Sequence, residues 1–438
     1  MANIKKQDFT KKRISVVIET HGCKLNQADS QEMRAEFLQE GCELVSIDQR
    51  HDIYILNTCT VTHVADAKAR QRLRSVRRNN PDAYVVATGC YAERDRQDIM
   101  ERTEVDLVVG NKGKQFLVKN ILDGWDLHSV QEENMHNDYI SNAGRVRSMV
   151  KIQEGCNQVC AYCIVPKVRG REKSISPFQL VENIQSLVSK GCREIVLTGT
   201  QLGSYGFDLE DFNLIKLIRL ILNKTDVERL RVSSIQPQEF SAELIELWDD
   251  KRLCPHFHIP MQSGSDKILE SMRRRYTSKD YSHTVETVRH AIPHASVTAD
   301  VIVGFPGESE QDFRDTYELC SSLSLADIHL FRYSKRPGTS AHYFHRQVPE
   351  ITKRERMDLI STLVENQKKN FWASEVGETH YVLWESSKVR NGDNYWSGLT
   401  ETYVPVETKT EDILLNTITP VRLTGVVSNT LEAVVLTC

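Results

Sequence analysis

The sequence lacks a long apolar run. None of its 438 residues lie in a stretch that approaches the roughly 18 consecutive apolar residues of a membrane-spanning helix. The first residues, MANIKKQDFTKKR, are basic but lack the apolar core of a secretory signal peptide. A formal net charge of only −4 gives no overall attraction to nucleic acid. These absences predict a cytoplasmic protein with no membrane contact, in which any RNA binding depends on local basic patches.

The 11 cysteines form an odd set in a chain without signs of export, so they indicate metal binding rather than a disulfide framework. Four of them lie in or beside predicted core segments and are expected to be packing residues: Cys42, Cys192, Cys254 and Cys320. No role is predicted for Cys438. The length predicts two to four domains, and the composition is ordinary for a globular protein.

The densest cysteine group lies in the segment KIQEGCNQVCAYC, at residues 151–163. Cys156, Cys160 and Cys163 form a C-x3-C-x2-C triplet directly after a short apolar strand. Three thiolates can hold three corners of a [4Fe–4S] cluster and leave the fourth iron open to a substrate or cofactor. A zinc site is the alternative, but zinc sites usually pair C-x2-C units and close with four ligands. The spacing favours the iron–sulfur cluster.

Residues 14–120 alternate apolar strands with helical segments, which is typical of a doubly wound α/β domain with a parallel sheet. Helices are predicted at 27–39 and 61–79. The apolar runs predict four buried strands, at 14–19, 52–57, 84–89 and 106–110.

Three cysteines each follow one of these strands. Cys23 comes after the first strand in THGC, Cys59 after the second in NTC, and Cys90 after the third in TGC. Because parallel strands end at one edge of a sheet, we expect the three thiols to lie together there. Three separate buried cysteines are the alternative, since a free cysteine is often a small core residue. The repeated placement favours a second cluster site.

Residues 146–345 contain six further strand candidates separated by amphipathic helical stretches. They lie at 148–154, 194–199, 229–235, 256–262, 296–305 and 327–334. Six such units predict an open, partial (βα)6 barrel related to the eight-stranded one. The cysteine triplet falls in its first loop, at the carboxyl end of a strand, where such barrels carry their chemistry.

The last part of the chain, residues 375–438, changes to short runs rich in Val, Thr and Tyr, with turn signals at NGDN and SNT. The strand candidates are THYVLWE, ETYVPVE, which begins at residue 401, TPVRLTGVV and LEAVVLT. This pattern predicts a small antiparallel β-barrel, five-stranded and OB-like, with a helix at 352–372 leading into it. The polar residues 123–145 lack periodicity and are predicted to form a linker.

Together these motifs resemble one family. The spacing C-x3-C-x-aromatic-C, with Tyr162 as the aromatic residue, resembles the signature of radical S-adenosylmethionine (SAM) enzymes. THGCKLNQADS, NTCTVTHVADAKARQ and TGCYAE resemble the three cysteine motifs of the methylthiotransferase N-terminal domain. The resemblance covers essentially the whole chain. It implies a methylthiotransferase domain at 1–122, a radical SAM domain at 146–372 and a TRAM-like barrel at 373–438.

The resemblance implies two [4Fe–4S] clusters and SAM as cofactors. Cys23, Cys59 and Cys90 would hold an auxiliary cluster, whereas the signature cysteines would hold the cluster that binds SAM. The alternative for glycines at strand ends is that they only permit the tight turns there and do not contact SAM. Further contacts with SAM are implied for residues beside the signature and at the ends of barrel strands: Tyr162, Gly199, Gln201, Ser234, Gln262 and Ile302.

The implied reaction needs radical chemistry. Methylthiolation replaces an unactivated C–H bond with C–S–CH3, and side-chain bases, which titrate only up to about pH 10–11, cannot remove such a hydrogen. The cofactor supplies a radical instead. The resemblance further implies that SAM provides the methyl group, that the auxiliary cluster presents sulfur, and that an electron donor and a sulfur source are partners. We expect a monomer.

Three motifs bear on the substrate, which in this family is adenosine 37 of a tRNA anticodon loop or an aspartate of a ribosomal protein. HFHIPMQSGS resembles the tRNA branches, and MRRRYT with YSKRPGT resembles the branch specific for threonylcarbamoyladenosine. The resemblance therefore implies conversion of N6-threonylcarbamoyladenosine 37 to its 2-methylthio derivative. The alternatives are isopentenyl-adenosine 37, the protein aspartate, and a non-catalytic iron–sulfur protein.

Local basic residues are candidates for contact with tRNA phosphates, and such contacts would weaken as salt rises. The alternative is an ordinary solvated helix face. Three candidates lie on the predicted helix at 61–79 and one beside the barrel rim: Arg70, Arg74, Arg77 and Arg274.

The C-terminal barrel departs from the family expectation of RNA binding. Residues 375–438 contain four Lys or Arg against nine Asp or Glu. Tyr395 and Trp396 are candidates to stack on unpaired bases, with a place in the barrel core as the alternative. The acidic balance also keeps a protein substrate open.

Overall fold

The computed structural model of the chain describes residues 13–124 and 146–436. It divides into two units, residues 1–144 and 145–438. The predicted linker at 123–145 lies almost entirely outside the described residues. Among the described helices, none combines the length and the apolar character needed to cross a bilayer.

The first unit is built on a parallel sheet of the order β2-β1-β3-β4-β5, which confirms the doubly wound α/β prediction. Its strands are β1 (Ser15–Thr20), β2 (Glu43–Leu44), β3 (Ile53–Thr58), β4 (Tyr84–Gly89) and β5 (Leu107–Val109). Its helices are α1 (Lys24–Gln39), α2 (His63–Asn79), α3 (Cys90–Arg94), α4 (Arg96–Arg102) and α5 (Leu117–Leu122), with a 3-10 helix at Asn111–Phe116. The sequence did not predict β2, because its two residues form no recognisable apolar run.

Helices cover both faces of this sheet. On one face, Phe37 of α1 and Val118 of α5 pack in one cluster with Val16 of β1. On the other face, Leu73 of α2 packs in a cluster with Tyr54 of β3. Because both faces are covered, the edge at which the strands end is the place where a ligand can bind.

The second unit begins with a six-stranded parallel barrel that is open between its first and last strands. The strands of this region are β6 (Arg147–Lys151), β7 (Gln153–Glu154), β8 (Lys173–Ser174), β9 (Glu194–Thr198), β10 (Arg229–Val232), β11 (His256–His258), β12 (Ser296–Val303) and β13 (Asp327–Arg332). The helices are α6 (Val165–Val168), α7 (Pro177–Ser189), α8 (Leu214–Lys224), α9 (Ala242–Ile245), α10 (Asp266–Ser271), α11 (Ser278–Ala291), α12 (Glu310–Leu323) and α13 (Glu350–Glu375). Short 3-10 helices lie at Leu202–Ser204, Pro237–Glu239, Glu246–Asp249 and Ser340–Tyr343.

Six parallel strands confirm the partial barrel. They form two sheets, β6-β9-β10 and β11-β12-β13, and a parallel bridge between Leu230 and Leu253 connects them. The predicted strand at 148–154 is two elements, because β6 ends at Lys151 and β7 turns to pair antiparallel with β8.

Side chains alternate between the two faces of each strand. On β12, Val297, Val301 and Val303 pack in the core with the helices. Asp300 and Ile302, which have the opposite parity, therefore point into the interior of the barrel.

The chain ends in a closed barrel of five strands, as predicted, in the order β14-β15-β16-β18-β17. Four of its strand pairs are antiparallel as expected, whereas β16 pairs with β18 in parallel. The strands are β14 (Thr379–Arg390), β15 (Asp393–Thr400), β16 (Pro405–Lys409), β17 (Ile418–Val427) and β18 (Thr430–Val435). The expectation of a strand from residue 401 is wrong at its start, because residues 401–404 form a turn between β15 and β16. Trp396 is buried in the barrel core, so of the two aromatic candidates only Tyr395, which lies under Arg390, is partly exposed.

The remaining cysteines occupy packing positions. Cys42, Cys254 and Cys320 are buried, and the half-buried Cys192 packs against the core of the second unit. Cys438 lies outside the described residues.

The C-terminal barrel docks at the amino ends of the parallel strands through a buried charge cluster. Glu194, at the start of β9, accepts from Arg231 Nε at 2.9 Å and lies 3.6 Å from Arg229 and 4.0 Å from Arg147. Arg231 also donates to the Glu401 carbonyl at 3.0 Å, across to the barrel. The three arginines hold the pKa of Glu194 below its ordinary value although burial alone would raise it. This cluster closes the end of the parallel barrel opposite to the cysteine triplet.

Replacing Glu194 with Gln leaves buried arginines without their carboxylate partner. We expect the free energy of unfolding of the second unit to fall by about 3–5 kcal/mol, because an uncompensated buried charge is costly. Urea denaturation measures this loss.

The matched control is Glu228→Gln, which breaks the pair between Arg193 and Glu228, whose side chains are 40% and 46% exposed. An exposed pair contributes about 0–1 kcal/mol. Equal losses in the two variants would show that the buried cluster is not what holds the C-terminal barrel in place.

Candidate active site

The three cysteines of the first unit lie at the carboxyl edge of its sheet. Cys23 directly precedes α1, Cys59 directly follows β3, and Cys90 directly follows β4. β3 pairs with both β1 and β4. In a sheet of the order 2-1-3-4-5, the crevice between the first and third strands is the usual ligand site. Cys23 and Cys59 lie on its two sides.

Close contacts show that the structure brings these cysteines together. A side chain at Gly22 would come within 2.9 Å of Cys59 Cβ, and one at Gly89 would meet Thr58 backbone atoms at 2.5 Å. Only glycine therefore allows the loops before Cys23 and Cys90 to approach the end of β3. Burial raises the pKa of Cys59 to about 12, and the charges of Cys23 and Cys90 add to that shift.

A buried polar frame, which the sequence patterns did not reveal, supports this edge. Asn26 donates to the Thr58 carbonyl at 3.0 Å, and Asn57 donates to the Asn26 carbonyl at 2.8 Å. Lys114 forms an ion pair with Asp29 at 2.7 Å. The sequence carried a weak signal for the two asparagines. Asn26 lies three residues after Cys23 in THGCKLN, and Asn57 lies two residues before Cys59 in NTC.

Hydrogen-bond donors point at the sulfur atoms. The Val61 N–H lies 3.5 Å from Cys59 Sγ, and Asn111 Nδ2 lies 3.6 Å from Cys90 Sγ. Such donors stabilise thiolates that hold a cluster. The high pKa of Cys59 shows that its thiol is not a free nucleophile, and a bound metal would deprotonate it. The residues present therefore fit an iron–sulfur cluster.

In the second unit, the signature loop follows β7. Ala161 holds it at both sides, since its N–H donates to the Met272 carbonyl at 3.0 Å and its carbonyl accepts from Ala341 N at 2.8 Å. The Gln158 N–H lies 3.4 Å from Cys156 Sγ, and burial raises the pKa of free Cys163 to about 12. These cysteines also fit a cluster.

Arg274 was predicted to contact tRNA phosphates. In the structure it does not lie on an exposed basic surface, and its contacts do not support that prediction. It is partly buried, lies 3.5 Å from Cys160 Sγ, and donates to Gln236 Oε1 at 3.0 Å. Its cationic guanidinium adjoins a predicted cluster ligand.

A chain of side chains extends from this arginine into the barrel rim. Gln236 donates to Gln158 at 3.3 Å and also to Gln201, and Gln201 donates to Glu239. Burial raises the pKa of Glu239. Motif spacing gave no sign of this network, because its members come from three separate loops.

The residues predicted to contact SAM all lie at the carboxyl ends of barrel strands or beside the signature. Gly199 directly follows β9, where Gln153 Oε1 accepts from the next two backbone N–H groups, at 2.9 and 3.0 Å. Ser234 follows β10 and is exposed. Gln262 adopts φ 66° and bridges to β12, and Tyr162 and Ile302 pack in one apolar cluster.

The arginines predicted on α2 divide into two kinds. Arg70 forms an ion pair with Asp98 at 3.1 Å, and Arg77 donates to the carbonyls of Glu104 and Ala83 at 2.8 and 2.9 Å. These two side chains tie α2 to its own unit. Arg74 is exposed, although its Nε donates to a neighbouring carbonyl at 2.8 Å.

Two family patterns match the chain, one in each unit. Residues 15–110 match the Uncharacterized protein family UPF0004, and residues 150–320 match the Radical SAM superfamily. The structure of a radical S-adenosylmethionine methyltransferase, TsrM from Kitasatospora setae, superposes with a TM-score of 0.52 over 73% of each chain. At 15% identity, this similarity concerns the fold alone.

Curated relatives match nearly the whole length. The threonylcarbamoyladenosine tRNA methylthiotransferases MtaB of Aquifex aeolicus and Bacillus subtilis are each 36% identical, over 90% and 91% of this chain and 96% and 92% of their own. A tRNA-2-methylthio-N(6)-dimethylallyladenosine synthase of Endomicrobium trichonymphae is 35% identical over 86% of this chain and 90% of its own. The chain therefore belongs to the radical SAM tRNA methylthiotransferases.

Proposed function

We propose that this enzyme converts N6-threonylcarbamoyladenosine at position 37 of tRNA to its 2-methylthio derivative. The observation that carries the proposal is the pair of cysteine triplets, one at the carboxyl edge of the first unit's parallel sheet and one in the loop that follows β7 in the second unit. The names of the relatives from Aquifex aeolicus and Bacillus subtilis support the substrate.

The residues present assign a place to each cofactor. Cys156, Cys160 and Cys163 would hold a [4Fe–4S] cluster with SAM on its open iron, and the triplet of the first unit would hold an auxiliary cluster. When bound, these groups supply a carbon-centred radical, a methyl group and sulfur. The reaction also consumes electrons and sulfur, so we infer an electron donor and a sulfur source as partners.

The side chains around the signature loop would orient and shield the cofactor. Arg274 places a positive charge beside Cys160, and the glutamine network fixes Arg274 through Gln236. Tyr162 and Ile302 pack in one apolar cluster and would exclude water from a bound cofactor. Gln153 shapes the loop at Gly199 so that its backbone can approach a ligand closely.

Isopentenyl-type adenosine is the second candidate substrate. It is favoured by relatives such as that of Endomicrobium trichonymphae, whose name gives a dimethylallyladenosine product. The two candidates differ in the group on N6 and share the position that is methylthiolated.

Nucleoside mass spectrometry of tRNA from a strain that lacks the gene tests the substrate. We expect loss of the 2-methylthio form of threonylcarbamoyladenosine and accumulation of the unmodified nucleoside. Restoration by the wild-type chain and not by Cys156→Ser would assign the activity to this protein.

Cys192→Ser is the matched control, since Cys192 is half-buried in the same unit and lies outside the signature. It should restore the modification. Loss of only the dimethylallyl product in the deletion strain would transfer the proposal to the second substrate, and no change in either nucleoside would refute it.

Electrostatic contact with tRNA is expected through the exposed basic side chains of α2. Arg78 is exposed on this helix. Replacing it with Glu should weaken tRNA binding. The slope of the logarithm of the binding constant against the logarithm of the salt concentration is negative, and its magnitude should fall by about 1. Titrations at several salt concentrations measure both quantities.

Lys119→Glu makes the same charge change on α5, which packs on the opposite face of the sheet. It should leave tRNA binding nearly unchanged. If both variants weaken binding equally, net charge rather than the α2 surface is responsible. A reversal of Arg70 or Arg77 would be a poorer test, because it also breaks contacts within the first unit.

A further inference from the structure

A second cluster of potential metal ligands lies inside the parallel barrel, apart from the cysteines. It consists of His258 at the end of β11, Asp300 in β12 and His329 in β13. The three strands are neighbours in one sheet. The side chains of His258, Asp300 and His329 are 11%, 25% and 58% exposed, so the cluster is sheltered on one side and accessible on the other.

The two distances from Asp300 match the edges of a metal coordination sphere. Asp300 Oδ1 lies 3.2 Å from His258 Nε2 and 3.3 Å from His329 Nδ1. One ligand atom from each residue lies within 4.8 Å of the others. A tetrahedral ion with bonds of about 2.0–2.1 Å holds its ligand atoms about 3.3–3.4 Å apart. The two imidazole nitrogens lie within 4.8 Å of each other, so an approach of at most about 1.5 Å closes the three side chains around an ion.

A fourth residue orients the first imidazole. Ser234 Oγ lies 2.6 Å from His258 Nδ1, the ring nitrogen that does not face Asp300. Histidines that bind metals usually make such a second hydrogen bond, which fixes the ring and its tautomer. This contact directs Nε2 of His258 towards the carboxylate.

We propose that His258, Asp300 and His329 bind a divalent transition-metal ion of the zinc or ferrous type. Two imidazoles and one carboxylate form the donor set that such ions prefer. Three protein ligands leave a position open for water or for an oxygen atom of a substrate. The ion is additional to both iron–sulfur clusters, and its binding does not depend on the proposed tRNA substrate.

Zinc binding to the cluster-loaded enzyme tests this site. The protein with its iron–sulfur clusters assembled is dialysed against zinc-buffered solutions without SAM or tRNA, and zinc and iron are then measured by elemental analysis. We expect one zinc per wild-type chain. Asp300→Asn and His329→Ala should lose it while their iron content stays that of the wild type, which shows that the barrel remains folded.

Two further variants sharpen the assignment. Ser234→Ala removes only the orienting hydrogen bond and should weaken zinc binding by roughly 10–100-fold. His294→Ala removes an exposed histidine of the same unit outside the cluster and should bind zinc as the wild type does.

Two results would overturn the site. A wild-type chain that takes up no zinc beyond background would leave the three side chains as a hydrogen-bonded group only. Zinc that stays stoichiometric in Asp300→Asn and His329→Ala would place the ion elsewhere. Neither result affects the tRNA modification measured in the deletion strain, so this inference and the proposed function fail independently.

Discussion

Parallel pairing determines where the ends of strands meet, and the chemistry of this chain depends on that constraint. Neighbouring strands lie about 4.8 Å apart, so the loops that follow β1, β3 and β4 begin within about 10 Å of one another. Cys23, Cys59 and Cys90 are 36 and 31 residues apart in sequence, and parallel pairing brings them to the same edge of the sheet. The same constraint places the signature loop and the ends of β9 to β12 on one rim of the second unit.

The opposite end of the parallel barrel has a different role. There the buried Glu194 and its arginines connect the starts of β6, β9 and β10 to the C-terminal barrel. Tyr403 completes this contact, since its ring stacks on His256 with a centroid distance of 4.8 Å and lies 4.8 Å from the guanidinium of Arg231. With the amino end closed by packing, the carboxyl end and the interior between the two ends remain available for ligands.

Much of this arrangement was predictable, because it follows from patterns that are local in sequence. Apolar runs of five to ten residues indicated the strands, and cysteines placed at or shortly after their ends indicated both triplets. The strand at Asp393–Thr400 escaped prediction because its apolar residues are few and the Asn-Gly turn before it was the stronger signal.

Side-chain networks could not be predicted in this way. Gln158, Gln236 and Gln201 come from three loops, and their contacts depend on how the strand ends are spaced in three dimensions. The same reason explains why Arg274, grouped by sequence with two exposed arginines, lies instead against Cys160. No sequence motif indicated the cluster of Asp300 and His329. The period of two along a strand shows on which face of the sheet a side chain lies, but not which residues of the neighbouring strands it contacts.

The central claim is that each unit holds its own three-cysteine cluster. The most direct test is an iron count with Mössbauer spectroscopy on anaerobically reconstituted protein and on the two triple variants, Cys23/Cys59/Cys90→Ala and Cys156/Cys160/Cys163→Ala. Two clusters predict about eight irons per wild-type chain and about four in either variant, all in [4Fe–4S] form. An unchanged count of about eight in either triple variant would contradict the account.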